Sequence, residues 1–223
     1  MRIAAVIGSP NGMKGNTGKM LQAMLDGATS AGAEVEVFSL ADLEVKPCRG
    51  CSVCHIKGEC VIKDGFQSIR DGMLKADAIV LASPNYIFNV SAQMKAVLDR
   101  CCGPLHCQAF VGKYGAAVVT AGGGGCEEVA EYMVRFLRAM GCRTLGGVGA
   151  TARGLADPGE RQGALDSAAK LGRDLVNAVR EQKKFPDQDQ EREAFFARMK
   201  ALVTARGKEW PYEYKHWQKQ GWL

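Results

Sequence analysis

The sequence predicts a doubly wound α/β domain on a five-stranded parallel sheet. Two observations carry this reading. Short, nearly continuous apolar runs alternate with longer segments of helical period, and each run stops at a cluster of Gly, Ser, Pro or Thr. A strand covered by helices on both faces reads as an unbroken apolar run, which favours a parallel sheet over a sandwich.

The elements follow in order. Arg2–Ile7 is the first run, broken by Gly8-Ser9-Pro10. Met20, Leu21, Met24, Leu25 and Ala28 then recur at helical spacing until Gly32 closes the segment. Residues 34–40 alternate as a second strand. A helix over 64–75 precedes a strand over 78–82 that stops at Ser83-Pro84, and 91–102 is helical. Residues 114–120 form a fourth strand before Ala121-Gly122-Gly123-Gly124-Gly125. A helix then sets Val129, Met133, Leu137 and Met140 on one face. Residues 143–150 are the glycine-rich fifth strand and 160–181 the closing helix.

The chain of 223 residues, 47% of them hydrophobic, suits one complete domain over 1–183, with a loop at 47–62 inserted after the second strand. Residues 184–223 read as a tail that packs on this domain or on a partner subunit. The tail holds a helix over 190–206, then Trp210, Tyr212, Tyr214, Trp217 and Trp222, aromatics suited to a lid or an interface. Net charge is +5 with acids and bases interleaved, not the basic stripe of a nucleic-acid binder. No apolar run approaches the roughly 20 residues that span a bilayer. Only Ile3 to Ile7 are apolar before Gly8, too few for a signal peptide. The expectation is a cytoplasmic protein without membrane or nucleic-acid partners.

The loop from Gly8 to Gly18 joins a buried strand to a helix. Its glycines allow close backbone approach, and the helix start near Asn16-Thr17 adds free N–H groups and a positive dipole end. A P-loop is excluded because Met13 stands at its first glycine and Met20 at its hydroxyl. The dinucleotide fingerprint fails because Pro10 stands at its second glycine. Neutral donors for a monophosphate remain, alongside an ordinary strand-to-helix connection capped at Asn16 or Thr17.

Further segments sharpen the choice. Ser83-Pro84-Asn85-Tyr86, Ser91-Ala92-Gln93-Met94-Lys95, Asp99-Arg100 and Pro47-Cys48-Arg49-Gly50-Cys51…Cys54 join Gly-Ser-Pro…Gly-Asn-Thr in a fixed order. Over residues 1–150 this resembles the flavodoxin-like NADPH-dependent FMN reductase family, and within it the iron–sulfur flavoprotein branch. The resemblance implies FMN, with Ser9, Pro10, Asn11, Gly15, Asn16 and Thr17 around its phosphate. Pro84, Asn85, Tyr86, Ile87, Phe88 and Asn89 would line one side of the ring, and Thr120, Ala121, Gly122 and Gly123 the other. Asn11 stands where the family often carries a basic residue.

Cys48-x2-Cys51-x2-Cys54-x5-Cys60 is a compact four-thiolate motif among nine cysteines. Without an export signal these read as thiols rather than a disulfide framework. The motif fits a [4Fe–4S] cluster, as in the resembling branch, or zinc, or unligated thiols. Cys101, Cys102, Cys107, Cys126 and Cys142 are scattered and read as core or surface thiols. The three histidines, His55, His106 and His216, have no carboxylate partner suggested by spacing and read as structural. No catalytic acid or base is expected, since hydride transfer to flavin needs none.

The expected activity is an FMN-dependent oxidoreductase drawing on NAD(P)H as cosubstrate or on reduced ferredoxin, in a homodimer or homotetramer. A flavodoxin-like electron carrier and a zinc-stapled binding module are the alternatives.

Overall fold

The computed structural model describes residues 1–223. Its parallel sheet comprises β1 (Arg2–Ile7), β2 (Glu34–Ser39), β3 (Ala78–Tyr86), β5 (Tyr114–Ala121) and β6 (Arg143–Thr151), in the order β2-β1-β3-β5-β6. The five parallel strands and their covering helices match the fold class expected from the sequence. A sixth strand was not foreseen: β4 (Asn89–Val90) pairs antiparallel with the end of β3. β3 accordingly continues past Ser83-Pro84 to Tyr86. Pro84 ends no strand, because it lies beside Thr120 in the ladder while lacking only its own N–H.

Strand side chains alternate between two cores. Ala4 and Val6 of β1, Ile79 and Leu81 of β3, and Ala117 and Val119 of β5 face one layer. That layer is filled from α3 (Phe66–Lys75), α4 (Ala92–Arg100) and α6 (Cys126–Ala139). Ile3, Ala5 and Ile7, with Val80 and Val118, face the other, filled from α1 (Asn16–Ser30) and α8 (Pro158–Arg180). Burial on both faces explains why these strands read as unbroken apolar runs.

Local sequence sets the helix boundaries. Asp157 caps α8 by accepting from the Gly159 and Glu160 amides at 2.9 and 3.0 Å, with Pro158 in the first turn. Thr151 caps the short α7 (Ala152–Ala156), and Ser91 caps α4. The helix expected over 91–102 breaks at Cys101 into α4 and α5 (Cys102–His106). α2 (Val53–Lys57) is a single turn inside the cysteine loop.

The edge of the sheet at β6 is closed by a side chain. Gln188, in α9 (Pro186–Ala205), accepts from the Thr144 amide and donates to the Thr144 carbonyl, both at 2.8 Å. It thereby imitates a neighbouring strand. The last helix is α10 (Pro211–Lys219), which packs against α2 and so lies along one side of the cysteine loop. Trp217 of α10 is fully buried among Met199 and Val203 of α9 and donates from Nε1 to the His106 carbonyl at 2.7 Å.

α1 and α8 approach closely because each offers a glycine. A Cβ on Gly27 would run into the Ala169 carbonyl, and one on Gly172 into the Met24 carbonyl. Both obstacles are backbone, so neither can rotate aside. Gly172→Ala is expected to force the helices apart at a cost of about 1–3 kcal/mol, the usual range for overpacking. Urea unfolding checks this; unchanged stability would contradict the packing described.

Candidate functional site

The carboxyl ends of β1, β3 and β5 lie side by side where the strand order reverses, the position at which doubly wound sheets bind ligands. Hydrogen bonds knit the loops there. Gly8 N–H donates to the Ala82 carbonyl at 2.7 Å, Ser91 Oγ donates to the Gly8 carbonyl at 2.5 Å, and Ser91 N–H donates to Ser83 Oγ at 3.0 Å.

In the first loop, Ser9 is buried and its Oγ accepts from the Asn11 amide at 3.2 Å, while Pro10 and Asn11 are exposed. Gly15 is the N-cap of α1, and no side chain caps the helix. The sequence allowed a cap at Asn16 or Thr17; both instead lie inside the first turn. Its amides are thus not claimed by a capping side chain. Thr17 Oγ1 meets Thr120 Oγ1 at 2.6 Å, both buried, which joins the first loop to the end of β5.

Asn85 Nδ2 donates to the Gly124 and Gly125 carbonyls at 3.0 and 3.2 Å, joining the third loop to the same glycine run. Its Oδ1 is buried and has no partner. Gly122 and Gly123 are exposed, with open space where a side chain would be. Ile87 and Phe88 form the tip of the β3–β4 hairpin, 90% and 89% exposed, with φ of +48° and +63°. These are the central positions of a tight hairpin turn that ordinarily takes Asn and Gly, so two bulky residues are held there under strain. Tyr86 and Asn89 flank them and are also exposed.

The cysteine loop is clipped at both ends by one buried ion pair. Arg100, at the end of α4, binds Asp64 through Nη1 at 2.6 and 2.8 Å, with the side chains 0% and 5% exposed. The guanidinium also donates to the Lys46 and Ile62 carbonyls and lies 4.5 Å over the Phe66 ring. Asp64 in turn accepts from the Lys46 and Phe66 amides at 2.9 and 3.0 Å. Burial pushes the Asp64 carboxyl upward. The bonds from Arg100, Lys46 and Phe66 pull harder the other way and hold it below the usual carboxylate range.

Between these ends the chain turns through left-handed Gly50 and Ser52, at φ +61° and +59°. Cys48, Cys51, Cys54 and Cys60 line one cavity of about 80 Å³. The Gly50 amide donates to Cys48 Sγ at 3.4 Å. Four thiols around one cavity, in a loop with amide donors, fit an iron–sulfur group by the chemistry of the donor set.

Two features of this region were missed from the sequence. Cys102, read as one of the scattered thiols, lines the same cavity. The Cys54 thiol is pulled down to about 6, chiefly by the neighbouring Cys102 thiol; burial opposes this, and His55 adds to it. Burial is the main cause that pushes Cys101 up to about 12, as expected for an inert core thiol.

The second missed feature is the environment of the histidines. His55 and His106 do have a carboxylate partner, contributed by the tail. Glu213 is fully buried, with Oε1 2.6 Å from His55 Nδ1 and 3.3 Å from His106 Nδ1. Trp210 stacks on both imidazoles, at 4.4 and 4.8 Å. Ligand atoms of His55, Cys102 and His106 lie within 4.8 Å of one another. The two rings are inclined by only 23°, however, so their in-plane lone pairs run side by side rather than converging on an ion. No local spacing signals this cluster, since Glu213 is 158 residues from His55.

The family model for NADPH-dependent FMN reductase matches residues 1–154. The chain belongs to this family. It is therefore a member of a family of FMN-dependent oxidoreductases. A curated relative named iron–sulfur flavoprotein, from Archaeoglobus fulgidus, is 33% identical over 100% of both chains. Another of that name, from Methanosarcina thermophila, is 39% identical over 45% of this chain and 52% of its own. Among solved structures, an NAD(P)H:quinone oxidoreductase from Methanothermobacter marburgensis superposes with a TM-score of 0.62 at 18% identity, covering 78% of this chain and 96% of that one. An archaeal flavodoxin superposes at 0.54 and 20%, covering 81% and 99%. At these identities the superpositions speak to fold alone, and they match the flavodoxin-like expectation. No helix of this family member is long and apolar enough to cross a membrane.

Two outcomes follow from the loop's supports. Asp64 has a lowered folded pKa, so its pair contributes stability above the unfolded value of about 3.9 and loses it as pH falls through the folded value. Asp64→Asn is expected to cost about 3–5 kcal/mol at pH 7 by leaving Arg100 buried and unpaired. The gap to the parent should close below about pH 4, as the parent carboxylate protonates. Urea unfolding across a pH series checks both sign and window. Glu213→Ala strips the shared acceptor from buried His55 and half-buried His106 and is expected to cost about 1–3 kcal/mol. It should also speed alkylation of half-buried Cys54 and Cys102, measured by mass spectrometry; unchanged rates would mean that α10 does not shield that side of the loop.

Proposed function

We propose that this chain is an FMN-dependent oxidoreductase that takes electrons from NAD(P)H or reduced ferredoxin and passes them to an acceptor. On this reading a [4Fe–4S] cluster on Cys48, Cys51, Cys54 and Cys60 is its second redox centre. The observation that carries the reading is the meeting of three loops at the strand-order reversal. Thr17 is hydrogen-bonded to Thr120, and Asn85 to Gly124 and Gly125, beside a helix start that no side chain caps.

In this reading Ser9, Pro10, Asn11, Gly15, Asn16 and Thr17 surround a dianionic phosphate with neutral donors and the dipole of α1. Pro84 to Asn89 flank a flat ring on one side, and Thr120 to Gly123 on the other. The unpartnered Asn85 Oδ1 supports this, as an acceptor ready for a ring N–H. The exposed Ile87–Phe88 tip supplies apolar cover that keeps water from the ring. Bound FMN supplies hydride and one-electron chemistry, so the protein's part is to bind, orient and shield. The four loop thiolates would hold the cluster, with amides such as that of Gly50 donating to their sulfurs.

Anaerobic purification with flavin, iron and sulfide analysis tests the reading. FMN with iron and sulfide is expected, and a colourless protein holding zinc would overturn it. Reversible one-electron flavin reduction without NAD(P)H oxidation or ferredoxin-dependent turnover would assign it as an electron carrier instead. Thr17→Leu with Asn16→Leu is expected to abolish FMN retention while leaving iron content unchanged; normal flavin occupancy would refute the phosphate assignment.

A further inference from the structure

α6 and α9 enclose a cavity of about 450 Å³ that shares no residue with the strand-end crevice or the cysteine loop. Tyr132, Arg135 and Arg138 follow one another three residues apart on α6, as Arg192 and Phe195 do on α9. Two helix faces thus present rings and guanidinium groups to one space, and Phe136 adds a third ring. The walls are fixed in place. Gln188 bonds α9 to Thr144 of β6 at 2.8 Å, and Asp189 beside it meets Arg143 Nη2 at 3.0 Å.

The charges around this cavity do not balance. Three arginines line it against a single acid, Glu191. Arg138 Nη1 stays 3.7 Å from Glu191 and 3.8 Å from Glu131, beyond hydrogen-bond reach. Thr144 Oγ1 accepts from Arg138 Nε at 2.9 Å, which anchors the guanidinium and leaves its terminal nitrogens for another partner. Arg192 Nη2 comes no nearer than 3.7 Å to Asp189, whose two oxygens already serve Arg143. Arg135 is exposed and pairs with no carboxylate.

Guanidinium forks match the oxygens of a phosphate, and aromatic side chains stack on a flat ring. A carboxylate offers such forks two oxygens, whereas a phosphate monoester offers three. The volume lies within the range of small-molecule sites, about 300–1,000 Å³. We propose that the α6–α9 cavity binds a planar aromatic phosphate monoester of nucleotide size. Its ring would lie among Tyr132, Phe136 and Phe195, and its phosphate on Arg135, Arg138 and Arg192. The site is separate from the crevice, since nine residues of α6, about 14 Å of helix, part Arg135 from Cys126 at the glycine run.

The test titrates the full-length protein calorimetrically, as purified with its own cofactors, using adenosine 5′-monophosphate as the probe. Saturable binding is expected, with adenosine and inorganic phosphate each weaker by about tenfold or more, because each lacks one half of the ligand. Arg135→Glu and Arg192→Gln should weaken the probe by about tenfold or more while keeping the parent's thermal midpoint. Lys200→Glu, on the exposed part of α9 outside the cavity, makes the same charge change as Arg135→Glu and should leave binding unchanged. Absence of binding would overturn the proposal, as would inorganic phosphate binding as tightly as the probe. Equal weakening in Lys200→Glu would reduce the effect to overall charge and overturn it too. Binding that survives Arg135→Glu but is lost in the Asn16→Leu, Thr17→Leu variant would place the probe in the crevice, and would overturn the proposal without touching the FMN reading.

Discussion

The Arg100–Asp64 pair is the constraint on which the cysteine region depends. From Pro47 to Gly65 the chain forms one helical turn and otherwise no regular structure, so backbone ladders do not set its shape. A single guanidinium does so instead, holding Lys46 before the first motif cysteine and Ile62 and Asp64 after the last. Burying two charges is unfavourable in itself. Here the cost is offset by bonds that occupy both carboxylate oxygens and both terminal guanidinium nitrogens. Such a pair acts as a specificity device, since any other loop path would strand a charge in the interior.

Arg100 also ties this loop to the strand-end crevice, because both hang on α4. The helix begins at Ser91, whose side chain and amide are bonded to Gly8 and Ser83 at the crevice, and ends at Arg100. Nine residues of helix make a rigid strut of about 14 Å. Two redox centres built at its ends would keep a fixed spacing, which electron transfer requires. The strained Ile87–Phe88 tip leaves the same crevice one short strand before α4 begins, so the most exposed and the most firmly tied parts of the site share a root.

The parts legible in the sequence were those that depend on near neighbours. Residues 2–7 read as a buried strand because both faces are covered. The first loop read as a strand-to-helix connection because glycines and small polar residues follow a strand directly. The spacing from Cys48 to Cys60 placed four thiols around one cavity because a short loop must bring its thiols together. What escaped notice depends on pairings across the fold. β4 is too short to leave a period. Cys102 joins the cavity only because α4 delivers it there. Glu213 meets His55 only after the tail has crossed the domain, and a carboxylate in a run of Tyr, Lys and His gives no hint of complete burial. The aromatic crowding of the tail was visible, but not which surface it would cover.

That cover has a consequence in time as well as in space. Trp210 and Glu213 close over His55 on one side of the loop, yet Glu213 lies 158 residues further along the chain. A chain made from its amino end therefore leaves His55 without its carboxylate until more than a hundred further residues have followed. Cys48 and Cys51 stay exposed even then, so the late-arriving tail steadies the inner wall of the loop and leaves its outer thiols open.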